Sequence, residues 1–88
     1  MINIEDLELE DGAVILEPQS SYNKAIIGIS IDSKHLIYSY DLLLSTLIEG
    51  GMSYDDARDW LDYNTLRSIE YMEAEYRPII ISFVEEKE

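Results

Sequence analysis

Asp55, Asp59 and Asp62 recur at i, i+4 and i+7, with Asp56 alongside. On a helix this spacing stacks carboxylates along one face, with neighbours on the order of 6 Å apart along the axis. Such a row imitates the regular anionic oxygens of a nucleic-acid backbone. Arg and Lys side chains that ordinarily grip phosphates could grip it instead. The plainer reading is that Asp55 and Asp56 favour a helix N-terminus through its dipole, while Asp59 and Asp62 are solvated and Arg58 interrupts the row. Glu5, Asp6, Glu8 and Glu10, followed by Asp11, make a second acidic group. It is either a second binding patch or a polar arm that improves solubility.

Other chemistry finds little support. Asp32 with Asp41, or Asp55 with Asp59, offers paired carboxylates for acid–base work or a hard cation. Such pairs arise by chance in a chain with 19 acidic residues. His35 is the sole histidine and has no second His or Cys to complete a metal site or a paired base. It reads as surface or edge structure. No EF-hand loop, P-loop or nucleophile elbow is present. The absence of cysteine excludes disulfides, thiolate metal sites and cysteine nucleophiles. The expectation is a protein that is not an enzyme and carries no catalytic residue, metal or cofactor.

Charge is the dominant property. The formal net charge is -13 over 88 residues, with 19 acids against 6 bases. Residues 1–17 carry six acids and no base, residues 41–75 carry nine acids against Arg58 and Arg67, and residues 18–40 between them are near neutral. Such self-repulsion costs stability and disfavours nucleic acid, anionic membranes and copies of the same chain. It therefore points to a need for solubility or to a positively charged partner. Hydrophobic residues make up 47% of the chain, enough to close a core. No stretch reaches the roughly 18 apolar residues of a membrane span, and Met1–Asp6 is acidic where a signal peptide would be basic. A soluble intracellular protein, in a cell or in a virus-infected cell, is expected.

The length suits one domain over 1–88, with 1–12 an acidic arm or edge strand and 85–88 a solvated tail. Asp11-Gly12 signals a turn, and Ala13–Leu16 reads as a short strand ended by Pro18. Lys24–Ile31 is the clearest strand, with Ala25, Ile27, Ile29 and Ile31 on one face. Asp32-Ser33-Lys34 turns the chain into a second strand, His35–Tyr40, predicting a hairpin. Asp41 is expected to cap a helix through Leu42, Leu43, Leu44, Leu47 and Ile48, which Gly50-Gly51 ends. Ser53 starts another, with Tyr54, Ala57, Trp60 and Leu61 as its buried stripe. Asn64-Thr65 is expected to break or cap that helix. A third helical stretch then carries Leu66, Ile69 and Met72, and Pro78 opens a last strand to Val84. The order β-β-β-α-α-α-β predicts an α+β fold: a small antiparallel sheet with helices packed on one face. Seven tyrosines are numerous for this length. Most are expected at the core edge, and about two at an interface.

The stretch from Ile26 to Tyr71 resembles a group of small acidic proteins encoded in bacteriophage and prophage genomes, mostly of Gram-positive hosts. The residues carrying the likeness are Ile26-Ile27-Gly28-Ile29, Ile37-Tyr38-Ser39-Tyr40-Asp41, Gly51-Met52-Ser53-Tyr54-Asp55-Asp56-Ala57 with Trp60, and Tyr63-Asn64-Thr65-Leu66-Arg67. In that group a proline closes the third helical stretch early, where this chain has Ser68-Ile69-Glu70. The resemblance implies a genomic setting rather than a mechanism. In size and charge alone the chain is also similar to anti-CRISPR proteins that mimic nucleic acid. The leading expectation is a phage-type inhibitor that binds stoichiometrically to a basic groove on a host nucleic-acid or defence enzyme. Asp55, Asp56, Asp59 and Asp62 would form one contact, and Glu5, Asp6, Glu8 and Glu10 a second. The alternative is a small interaction module, including a homodimer, that associates through an apolar, Tyr-rich hairpin or an exposed edge strand.

Overall fold

A computed structural model describes residues 7–84. The fold is α+β, as the pattern of elements predicts, but its sheet is mixed rather than antiparallel. Strand β1 (Ile26–Ile29) pairs antiparallel with β2 (Leu36–Ser39), and β2 pairs parallel with β3 (Ile79–Ile81). Ile26 faces Tyr38 and Ile29 faces Leu36 across the hairpin, with an irregularity between Ile26 and Gly28. The parallel pair follows from topology. Parallel strands need a long crossover, and here the whole helical half of the chain supplies it between β2 and β3.

The hairpin is shorter than its apolar pattern suggests because Ser30 turns the chain early. Its hydroxyl accepts from the His35 backbone N–H at 3.1 Å and also meets the Ser33 hydroxyl. The Ser30 N–H donates to the His35 carbonyl at 3.0 Å, closing a six-residue loop that includes Lys34 at a left-handed φ of 59°. Ile31, expected on the apolar face, is therefore left 89% exposed in the loop.

Ala13–Leu16 is not a strand. Val14 N–H donates to the Tyr76 carbonyl and Leu16 N–H to the Tyr38 hydroxyl, so the segment is tied down without a ladder. The Asp11-Gly12 turn does form, with Ala13 N–H reaching Glu10 carbonyl at 3.0 Å. Leu7 and Leu9 of the acidic arm pack against the core. After Pro18 the chain winds into α1 (Gln19–Tyr22) and a single 3-10 turn, Asn23–Ala25, and does not extend into a strand from Lys24. The Pro18 carbonyl accepts from Ser21 and Tyr22.

Helix α2 (Tyr40–Glu49) begins one residue before the expected cap. Ser39, not Asp41, is the N-cap: its side chain accepts from Leu42 N–H at 3.2 Å, and Asp41 lies in the first turn. Gly51, at φ +111°, takes the conformation that ends a helix and that other residues resist. Ser53 then caps α3 (Tyr54–Trp60) by accepting from Asp56 N–H at 3.1 Å.

No break occurs at Asn64-Thr65. The helix widens into a π-helical stretch, Leu61–Leu66, and continues as α4 (Arg67–Glu70). A π turn interrupts the i→i+4 ladder, and side chains serve the carbonyls that it strains. Asn64 Nδ2 donates to the Trp60 carbonyl at 3.0 Å and Ser68 Oγ to the Asn64 carbonyl. The widening has a packing reason. At about 100° per residue an uninterrupted α-helix would place Ile69 roughly 80° round from Leu61. One extra residue in the turn brings both onto the core side, where they are buried.

The core lies between one sheet face and the helices. Ile26, Leu36 and Tyr38 meet Leu43 and Leu44 of α2, Ala57 of α3, Leu61 and Ile69, with Leu16, Tyr22 and Ala25 completing it. Tyr54, expected in the buried stripe of its helix, is exposed, as are Leu42 and Ile48 of α2. The opposite sheet face carries half-buried Ile37, Ile79 and Ile81 beside exposed Ile27.

Two buried tyrosines make the fold sensitive to alkali. Burial raises the Tyr22 hydroxyl above its ordinary 10.0. Burial does the same for Tyr38, helped by the Glu17 charge and opposed by the bond from Leu16 N–H. Both hold their protons more tightly folded than unfolded. Their contribution to stability is intact below about pH 10 and is lost as the pH climbs through their folded values. Absorbance at 295 nm should show these two ionising together with loss of near-ultraviolet circular dichroism. A protein that ionises all seven tyrosines while its circular dichroism stays native would contradict this.

Candidate functional site: an acidic helix face and an acidic cleft

The Ser53 cap fixes where the acidic helix begins and so where its carboxylates point. Asp55 and Asp56 fall in the first turn of α3, Asp59 one turn later, and all three are exposed. Among the described residues none of their carboxylates has a hydrogen bond or ion pair. The ion pair found there joins Lys24 to Glu49 at 2.9 Å, elsewhere on the surface.

Asp62 is placed differently. It lies in the π-helical stretch and accepts a hydrogen bond from the Tyr40 hydroxyl at 3.2 Å. Burial raises the Tyr40 hydroxyl above its usual value, and the Asp62 charge and hydrogen bond add to it. Arg58 and Tyr54 line a cleft of about 390 Å³ with Tyr40, Asp41 and Asp62. Arg58 thus belongs to the flank of the acidic row that faces this cleft. The row is three free carboxylates followed by one already engaged.

Glu8 and Glu10 of the second predicted patch are exposed, and Glu5 and Asp6 lie outside the described residues. Glu10 is anchored by its backbone N–H, which donates to the Lys34 carbonyl at 3.1 Å. That bond brings the arm against the hairpin loop. A third turn, around Glu73–Arg77, approaches from the helical side through Tyr76 carbonyl and Val14 N–H, 2.8 Å apart. The three turns border an open cleft of about 640 Å³ lined by Glu10, Asp11, Asp32, His35, Glu75 and Tyr76. Gly12, at φ +85°, lets the arm lie flat on Tyr76: a β-carbon there would sit 3.0 Å from the ring.

His35 is a correction to the sequence reading. It is 6% exposed, buried at the mouth of β2 rather than on the surface. Of the candidate carboxylate pairs, Asp32 and Asp41 line different clefts, while Asp55 and Asp59 lie in the open on one helix face. Among the described residues no group of three His, Asp or Glu side chains is arranged to hold a metal ion. No helix there is long and apolar enough to cross a membrane.

The tyrosines divide clearly. Tyr22 and Tyr38 are buried, Tyr40 and Tyr76 half-buried, and Tyr54, Tyr63 and Tyr71 stand exposed along the helical run. The hairpin tyrosine Tyr38 is therefore core, and the exposed tyrosines lie on the helical run. Compared with known proteins, the chain matches no family model, no curated protein and no solved structure.

Proposed function

We propose that the protein is a phage-type inhibitor that acts by stoichiometric binding in the cytoplasm of a bacterial host. Its acidic surface occupies a basic, nucleic-acid-binding groove on a host defence or nucleic-acid enzyme, in the manner of anti-CRISPR mimics. The observation that carries the reading is the row of exposed, unpaired carboxylates at Asp55, Asp56 and Asp59, continued by Asp62. Carboxylates without internal partners keep their full capacity to accept from arginine and lysine, and such charge-assisted bonds are the strong ones. The net charge of -13 adds long-range attraction to a basic groove.

The test is a pull-down of host proteins on the purified protein, eluted with salt and competed with DNA or RNA. A nucleic-acid enzyme released by both is the expected result, since binding through surface charge weakens with ionic strength. Reversing Asp55, Asp59 and Asp62 to Lys should weaken capture about tenfold or more for each carboxylate that grips the partner, in a variant whose circular dichroism remains native. Undiminished capture by that folded variant would end the mimic reading.

One observation favours a second reading. Exposed Ile27 lies on a sheet face with half-buried Ile37, Ile79 and Ile81, and Ile31, Phe83 and Val84 are exposed just beyond the strand ends. An interaction module using this face would hold its partner, or a second copy, through high salt.

A further inference from the structure

Strand β3 runs past the strand it pairs with. Its ladder to β2 ends at Ile81 opposite Ser39, because Ser39 is the N-cap where the chain turns into α2. Ser82, Phe83 and Val84 follow with no strand beside them and stand exposed. β3 is also an outer strand of the sheet. Among the described residues, the backbone of residues 79–84 makes no hydrogen bond other than that ladder. Even Ile80, which packs against the core, is only half-buried, whereas Leu36 and Tyr38 of the central strand are fully covered.

Sheet edges are ordinarily guarded by charges, proline or a bulge. The opposite edge, β1, carries an irregularity between Ile26 and Gly28. β3 keeps a regular register and has no charged side chain from Ile79 to Val84, in a chain with 19 acids and 6 bases. We infer that this edge is the docking site for an extended segment of the basic partner, which adds as a further strand beside β3. The inference rests on the reading that the partner is basic and names the part of it that is held.

The two sides of β3 set the chemistry of that segment. Strand alternation puts Ile79 and Ile81, and Phe83 after them, on the bare face of the sheet, with Ile80 and Ser82 toward the helices. Ser82 borders the cleft of about 390 Å³ that Asp41 and Asp62 also line, and these two carboxylates outnumber Arg58 there. An added strand would lay apolar side chains beside Ile79, Ile81 and Phe83. Its alternate side chains would point toward the carboxylates, where lysine or arginine fits. Main-chain bonds supply affinity in such an arrangement, and the alternation supplies specificity. A second copy of this chain is the poorer occupant, since it would bring a charge of -13 against -13.

The probe is a capped peptide of about six residues that alternates valine with lysine, titrated into the isotope-labelled full chain. The expected result is a saturable set of amide NMR shifts at residues 79–84, with slowed hydrogen exchange there and no change at Ile27 and Gly28 of β1. The same peptide N-methylated at alternate residues keeps its charge but loses ladder donors, and should bind about tenfold or more weakly. Phe83→Lys lies beyond the last ladder pair and sets a charge among the apolar side chains. It should weaken the unmodified peptide at least several-fold while circular dichroism stays native. Equal binding of the methylated peptide, or shifts spread over the acidic residues with none at β3, would overturn the inference. So would protection at residues 79–84 that rises with protein concentration in the absence of peptide, which would make the occupant a second copy. If host capture is insensitive to the α3 reversal but lost in Phe83→Lys, the mimic reading fails and the edge stands. If capture follows α3 and Phe83→Lys leaves it intact, the edge inference fails alone.

Discussion

Leu61→Ala is expected to lower the free energy of unfolding by about 2–5 kcal/mol. Leu61 has 0% exposure and sits where α3 passes into the π-helical stretch. Its removal would leave a cavity within the buried core cluster. A domain of this size has a total stability of roughly 4–13 kcal/mol. The substitution would therefore consume a large part of it and lower the melting temperature by about 10 °C or more. Leu42→Ala is the control: Leu42 is 41% exposed on α2, and the same truncation there should cost well under half as much. Urea denaturation of both variants measures the difference. Equal losses would mean that the π-helical stretch does not turn Leu61 into the core.

Gly12→Val should cost about 2–4 kcal/mol, combining a strained backbone with overpacking. At φ +85° a β-branched residue is strongly disfavoured, and its β-carbon would lie 3.0 Å from the Tyr76 ring. Lifting the arm off Tyr76 relieves both the backbone strain and the contact with the ring. That would break the bonds from Glu10 N–H to Lys34 carbonyl and from Val14 N–H to Tyr76 carbonyl. Hydrogen exchange should report it as lost protection at Glu10 and Val14, with β2 unaffected. Gly28→Ala is the matched control, because nothing lies within 4 Å of a β-carbon at that position. A Gly12→Val protein with wild-type stability and protection would show that the arm is not held by this contact.

What could be read in the sequence was local. The Asp11-Gly12 turn, the Ser53 cap, the Gly51 helix end and the hairpin all depend on interactions within a few residues, and the structure contains each. The errors lie at longer range, with one inside a helical turn. Ala13–Leu16 has strand-like composition, but its partners are Tyr76 and the Tyr38 hydroxyl, and neither offers a strand edge. Asn64-Thr65 has the residue types of a break, yet Asn64 spends its side chain on Trp60 carbonyl and keeps the helix going. The parallel partner of β2 is about forty residues distant, beyond any hydrophobic period. The acidic row on α3 followed from spacing alone. The His35 cleft did not, because each of its turns looks like an ordinary solvated loop until the other two are placed against it.

The parallel pairing of β2 with β3 also orders events in time. Closing the hairpin spans only the six residues from Ser30 to His35, whereas joining Ser39 to Ile79 spans the 39 residues between them. The longer closure carries roughly 1.7 kcal/mol more chain entropy, and it is offset only after the helices have compacted. The third strand is thus the last piece to arrive and the first to leave. Until it does, β2 keeps one edge of unpaired backbone groups open. Pulse-labelled exchange during refolding should find protection at Ile26 and Ile29 before Ile80 and Ile81. Simultaneous protection would instead mean that the crossover and the hairpin assemble as one nucleus. A transient open edge next to Ile79–Ile81 makes the refolding intermediate, rather than the finished and highly charged surface, the species most prone to pair with its own kind.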